Sequence, residues 1–236
     1  SPGRVNMIET LRELVGPDII PKVLEAGFNF DFFDDAALQE VGRVEKGALV
    51  LGANRYKAVI LPGVEFIPVE SLRRIEEFAR EGGVVIATRR LPGLAPGFKA
   101  TEAEHGQVRE MSRRMFEGPS ASAHFVEDES HQVGNKLTSL LRPDVVISPS
   151  TPEIGFIHRS LGSAEVYFVA NTSNVQRNVK ALFRVEGMRA EWWDPLSGNV
   201  APADSQAQPG AGITVALELE PYGSRVLVFS RRELSR

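Results

Sequence analysis

The spacing of apolar residues along the chain changes twice, and each change predicts a different kind of element. Ile8, Leu11, Leu14 or Val15, Ile19, Val23 and Leu24 recur at intervals of three and four, which predicts amphipathic helix over residues 5–26, split in two by Gly16-Pro17 and Pro21. Residues 28–33 then alternate apolar and polar side chains up to Asp34-Asp35, predicting a short strand, and residues 47–52 predict another. The run Tyr56-Lys57-Ala58-Val59-Ile60-Leu61-Pro62-Gly63 reads as a strand buried on both faces, the central strand of a parallel sheet. From Pro68 to Arg80 the helical period returns, with Leu72, Ile75, Phe78 and Ala79 inward, and Gly82-Gly83 leads into Val84-Val85-Ile86-Ala87. A strand, helix and strand of this length become parallel neighbours with the helix on one face of the sheet. Residues 102–116 predict a helix with Val108, Met111 and Met115 inward, 123–126 a last sheet strand, and 131–141 a further helix.

Around Val145-Val146-Ile147 the period becomes alternating. Residues 155–159, 165–170, 179–185, 190–193, 213–219 and 224–229 are strand-like and separated by turn residues, the pattern of an antiparallel β-sandwich. Ser148-Pro149-Ser150-Thr151-Pro152 is a turn-rich connector. The predicted organisation is therefore an α/β domain over residues 1–147, with a parallel sheet and flanking helices, followed by a β-sandwich domain over 153–236. Such an α/β unit normally opens with a strand, whereas this one opens with a helix. Its first strand is expected to lie in a longer parent chain, in keeping with a start at Ser1 without methionine.

Composition narrows the function classes. At 236 residues the chain is long enough to bury its own core. It has no cysteine, which excludes disulfides, thiolate zinc sites and cysteine nucleophiles. The formal charge of −4 and the absence of a basic half disfavour nucleic acid as a partner. No apolar run approaches the ~18–20 residues of a membrane helix, so no membrane partner is expected. His105, His124, His131 and His158 lack ligand spacing, so neither a metal nor another cofactor is expected.

Candidate chemistry is sparse. Asp34-Asp35 and Glu127-Asp128-Glu129 fall at strand ends, where both catalytic carboxylates and ordinary turns occur. No G-x-S-x-G elbow is present. Arg89 and Arg90 follow the Val84 strand at the carboxyl end of the sheet, where open α/β sheets bind ligands; an anion contact, a domain contact and a plain surface pair are all open there. Trp192-Trp193-Asp194 is the other candidate, for carbohydrate or domain contact. In an extended segment the two indoles point to opposite faces, one to the core and one outward as a platform for a sugar ring or another domain. Asn171-Thr172-Ser173 matches a glycosylation acceptor.

Two resemblances add to this. Residues 56–63, Leu72-Arg73-Arg74-Ile75-Glu76-Glu77-Phe78 and Gly82-Gly83-Val84-Val85-Ile86 resemble the class I amidotransferase-like, flavodoxin-type domain appended to the barrels of several bacterial glycoside hydrolases. His158-Arg159, Val166-Tyr167-Phe168-Val169-Ala170-Asn171 and Glu191-Trp192-Trp193-Asp194-Pro195-Leu196-Ser197-Gly198 are similar to the C-terminal region of the alpha-L-rhamnosidases of glycoside hydrolase family 106. That family implies hydrolysis by two carboxylates on a (β/α)8 barrel N-terminal to this region, a domain of ~200 residues or more. No catalytic residue of the family is therefore expected in this chain. The resemblance implies a non-catalytic C-terminal fragment of a bacterial glycoside hydrolase, with structural, domain-packing or carbohydrate-contact roles. The partners it implies are the parent's N-terminal catalytic barrel, carbohydrate and a second copy of the chain. The competing reading is a stand-alone small-ligand or anion-binding α/β domain with its site at the strand ends.

Overall fold

The computed structural model describes residues 14–231, and the part of the expected first helix before Leu14 lies outside them. Helix α1 (Ile19–Glu25) is followed by residues 26–34 without regular structure and by the short α2 (Asp35–Glu40). Asp34 caps α2, its Oδ1 accepting the Ala37 N–H at 2.8 Å, one of the donors a helix start leaves unpaired. Strands β1 (Gly42–Glu45), β2 (Ala48–Leu51) and β3 (Asn54–Tyr56) pair antiparallel in that order.

β4 (Ala58–Pro62), α3 (Val69–Arg80), β5 (Val84–Thr88), α4 (Glu102–Phe116) and β6 (His124–Val126) make two successive crossovers, and the three strands pair in parallel in the order β4-β5-β6. Thr101 and Glu104 form a capping box that starts α4. Leu72, Ile75 and Phe78 of α3 and Val108, Met111 and Met115 of α4 are buried, as their spacing predicts. They share one core with Leu49, Val59, Leu61, Val85 and Ala87.

After α5 (Glu129–Leu140), two antiparallel sheets complete the chain. β7 (Val145–Ser148), β10 (Arg177–Phe183), β13 (Ser205–Gln208) and β14 (Gly212–Leu219) form one, in the order β13-β14-β10-β7. β8 (Ile154–Ser160), β9 (Ala164–Asn171), β11 (Arg189–Trp193), β12 (Val200–Pro202) and β15 (Ser224–Ser230) form the other, in the order β12-β11-β15-β9-β8. Alternate residues of both sheets fill a common core, including Val179, Ala181, Val215 and Leu217 from the first and Phe156, Val169 and Leu227 from the second. At its centre the Tyr167 ring meets Phe183 edge-on at 4.8 Å and Phe229 at 5.7 Å, the geometry aromatic quadrupoles favour. Contact density divides the chain into one unit ending at Ile19 and resuming over Asp31–Val133, and a second made of Ile20–Phe30 with Gly134–Arg236.

The structure overturns the expected fold class. Most of the sheet is antiparallel and sandwich-like, and among the described residues the parallel sheet has only three strands, so the first part is not a flavodoxin-like or amidotransferase-like domain. Two local causes account for this. Residues 28–33 form no strand despite their alternation, and residues 48–51 pair antiparallel with β1 and β3 instead of extending the parallel sheet. The run from Tyr56 also breaks at Lys57 into β3 and β4, and β4 is an edge strand whose burial alternates. β5 takes the central place, with Val85, Ile86, Ala87 and Thr88 all buried.

Candidate functional site

Each residue flagged by the sequence has a defined place, and the flagged residues do not converge on one pocket. Trp192 points inward and packs against the sandwich core, with the Arg225 guanidinium 5.5 Å from its ring centroid, within cation–π range. Trp193, the next residue on the same strand, points outward and is 37% exposed. Its indole N–H donates to Glu191 Oε2 at 3.3 Å, so a neighbour on the same face fixes the ring.

Asp194 builds the hairpin that follows β11. Its Oδ1 accepts the Leu196 N–H at 2.9 Å and its Oδ2 accepts the Ser197 hydroxyl at 2.5 Å. These bonds hold its carboxyl below the ordinary aspartate value. A side chain that closes its own turn in this way is a structural aspartate.

Register reveals what adjacency along the chain did not. On the outer face of the five-stranded sheet Trp193 pairs with Val200 of β12 and Val226 of β15, Val226 with Phe168 of β9, and Phe168 with Ile157 of β8. One apolar row therefore crosses all five strands, with Phe168 41% and Ile157 49% exposed. From sequence Ile157, Phe168, Trp193 and Val226 are members of four separate alternating runs and Val200 of none, and only the pairing puts them side by side.

Arg89 and Arg90 do lie past the carboxyl end of β5, but each has a carboxylate. Arg89 Nε donates to Glu129 Oε1 at 3.0 Å and its Nη2 donates to the Val15 carbonyl at 3.1 Å. Glu129 is buried and also accepts the Thr88 hydroxyl. Arg90 Nη1 donates to Glu65 at 2.8 Å. The guanidinium of Arg89 lies over Gly63, where a Cβ would come within 2.7 Å of it, and the positive φ of 61° at that position favours glycine. These strand ends thus form an internally neutralised ion-pair cluster.

Of the remaining acidic candidates, Asp128 is likewise engaged locally. Asp128 accepts from the Ser130 hydroxyl and contacts the His131 ring at 2.8 Å, which pulls its carboxyl down to about 2. Asp35 sits in the first turn of α2, and Glu127 is exposed. Asn171 is 2% exposed: its Nδ2 donates to the carbonyls of Val175 and Glu220, and its Oδ1 accepts from Ser173, so the apparent glycosylation acceptor is an internal corner. An open groove of about 610 Å³ is lined by Glu76, Arg80, Arg113 and Arg114, and in it Arg114 clasps Glu76 with bonds of 3.0 and 3.1 Å. Among the described residues no group of three His, Asp or Glu could hold a metal ion, and no helix is long and apolar enough to cross a membrane.

One cluster was missed in sequence because its members are far apart there. His158 stacks on Tyr167 at 4.2 Å, donates through Nε2 to Glu165 Oε2 at 2.8 Å, and has Nδ1 3.8 Å from Asp144. Arg184 pairs with the same Asp144. Burial opposes the charged imidazole, but the two carboxylates outweigh it and raise the affinity of His158 for its proton. Burial also opposes the Asp144 carboxylate, and His158 and Arg184 overcome that, leaving its value lowered.

Comparison with known proteins adds the family. The model of the alpha-L-rhamnosidases, glycoside hydrolase family 106, matches residues 13–206. A putative beta-glucuronidase of Formosa agariphila is 25% identical over 213 residues, 89% of this chain and 18% of that protein. Among solved structures, the rhamnosidase from Novosphingobium sp. PP1Y superposes with a TM-score of 0.69 at 23% identity, covering 87% of this chain and 20% of that one. A catalytic mutant of a family 42 beta-galactosidase from G. stearothermophilus gives 0.55 at 13% identity over 97% of this chain and 38% of its own. The chain spans about a fifth of the first two relatives' length.

Proposed function

Since this chain belongs to the alpha-L-rhamnosidase family, glycoside hydrolase family 106, we propose that it is a non-catalytic supporting part of a larger glycoside hydrolase. Its relation to glycoside hydrolases rests on the family match; the supporting role is our reading of the geometry. The observation that carries this reading is the engagement of four of its candidate acids. Asp34 caps a helix, Asp194 closes a hairpin, Asp128 is tied to Ser130 and His131, and Glu129 neutralises Arg89. Hydrolysis of a glycoside by two carboxylates needs a pair facing each other across a sugar, about 5–10 Å apart, with one held protonated. Asp128 and Asp194, lowered in pKa by the hydrogen bonds of their own turns, are unsuited to the acid's part.

The same ion pairing argues against the anion-binding alternative, because a ligand at the β5 end would have to displace Glu129 or Glu65 from its arginine. The purified chain, folded by circular dichroism, is expected to give no turnover of an aryl alpha-L-rhamnoside above buffer. Turnover that survives purification and disappears in Asp34→Asn, Asp35→Asn or Glu127→Gln would overturn the proposal.

A further inference from the structure

The two outer faces of the sandwich differ in a way that folding of the sandwich alone does not require. An antiparallel sheet with one face in water normally turns polar side chains outward. The four-stranded sheet does so along much of its pairing: Asn178 and Lys180 of β10 and Thr214 and Glu218 of β14 face away from the core. The five-stranded sheet instead carries the uncharged row Val200, Trp193, Val226, Phe168 and Ile157 from edge to edge. At the ~4.8 Å spacing of paired strands this row is roughly 19 Å long. Scattered exposed apolar residues are ordinary, but a contiguous strip marks a surface that another surface covers. Beyond Trp193, the turn that follows β11 carries Leu196, 97% exposed.

We infer that this row is the face on which the sandwich docks against a further folded part of its own polypeptide. The inference rests on the reading of the chain as supporting architecture and names the surface through which support is given. Length favours this occupant: the matched relatives hold about four-fifths of their chains outside the region shared with this one. So does side-chain chemistry. The strip mixes aliphatic Ile157 and Val226 with aromatic Phe168 and Trp193, as protein interface cores do, and has no charge within it to recognise a charged ligand. Trp193 is pre-positioned by its bond to Glu191, which lowers the ordering cost of an anchor residue.

Trp193 can report on its own burial, because Trp192 is the only other tryptophan in the chain. In a Trp192→Phe background, acrylamide quenching of Trp193 is compared between the isolated chain and the longer polypeptide, whose remaining tryptophans are replaced by phenylalanine. Docking predicts that quenching falls severalfold in the longer polypeptide. It also predicts that Phe168→Ser with Trp193→Ser, in the otherwise native longer polypeptide, speeds proteolytic release of this segment. The isolated chain with the same pair should keep its melting temperature, which separates lost docking from lost folding. Equal quenching in both settings, or release unchanged by the pair, would overturn the inference. Protection of Trp193 in the isolated chain by rhamnose oligosaccharides alone would also overturn it, in favour of carbohydrate. Rhamnoside turnover by the isolated chain is a separate readout, so failure of the supporting role and failure of the docking face can be told apart.

Discussion

Two side chains inside the sandwich carry unusual responsibility for their size. Asn171 closes the corner between the β9–β10 loop and the turn before β15, satisfying the carbonyls of Val175 and Glu220 with one amide nitrogen. Asn171→Ala leaves those acceptors and the Ser173 donors without it, and the expected loss is about 2–4 kcal/mol, measurable as a lower urea midpoint. His158 sets a pH dependence. Its folded pKa is raised above the ordinary 6.5, so its contribution is fully present below that value and is lost as pH rises through the raised one. Asp144 is lowered below the ordinary 3.8, so its contribution is present above that value and is lost as pH falls through the lowered one. The sandwich should therefore melt highest between about pH 4 and 6.5, and His158→Gln should flatten the alkaline side of a plot of Tm against pH and also shrink the acid side, where Arg184 alone is left to lower Asp144. An unchanged alkaline slope would remove His158 from the account.

At the scale of elements, burial tells the central strand from the edge strand. Val85, Ile86 and Ala87 of β5 are fully buried, whereas Ile60 of β4 is only half-buried. Ile86→Ala is expected to cost about 2–5 kcal/mol and Ile60→Ala about 1–2, read from chemical denaturation. Equal costs would mean that both strands are enclosed on two faces. This contrast also explains what sequence could and could not yield. The helices α3 and α4 were legible because their apolar stripes are long and regular; Leu72, Ile75 and Phe78 or Val108, Met111 and Met115 can share a face only in a helix. A short apolar run does not say which neighbours a strand will have. The hydrophobicity of the run from Tyr56 predicts the centre of the sheet, yet that place belongs to β5, which has a partner on each side. Residues 28–33 show the same limit, since alternation supplies a strand's pattern without supplying a partner.

For the whole molecule, the exposed row and the net charge act against each other in solution. The formal charge is −4 at pH 7, and the sequence pI is about 5.7, so repulsion between copies vanishes little more than one pH unit below neutrality. With repulsion gone, a strip holding Ile157, Phe168, Val226 and Trp193 is free to pair with the same strip on another copy. The candidate surface was half legible in sequence for this reason: the outward Trp193 follows from strand alternation, but its alignment with Phe168 and Ile157 depends on the register of β15 and β9, which no local pattern encodes. Light scattering of the isolated chain at constant ionic strength should accordingly rise as pH approaches 5.7, and Phe168→Ser with Trp193→Ser should suppress most of that rise although neither substitution changes the charge. Scattering that rises equally in both proteins would assign the association to charge neutralisation at some other surface, and the apolar row would then have no measurable stickiness in water.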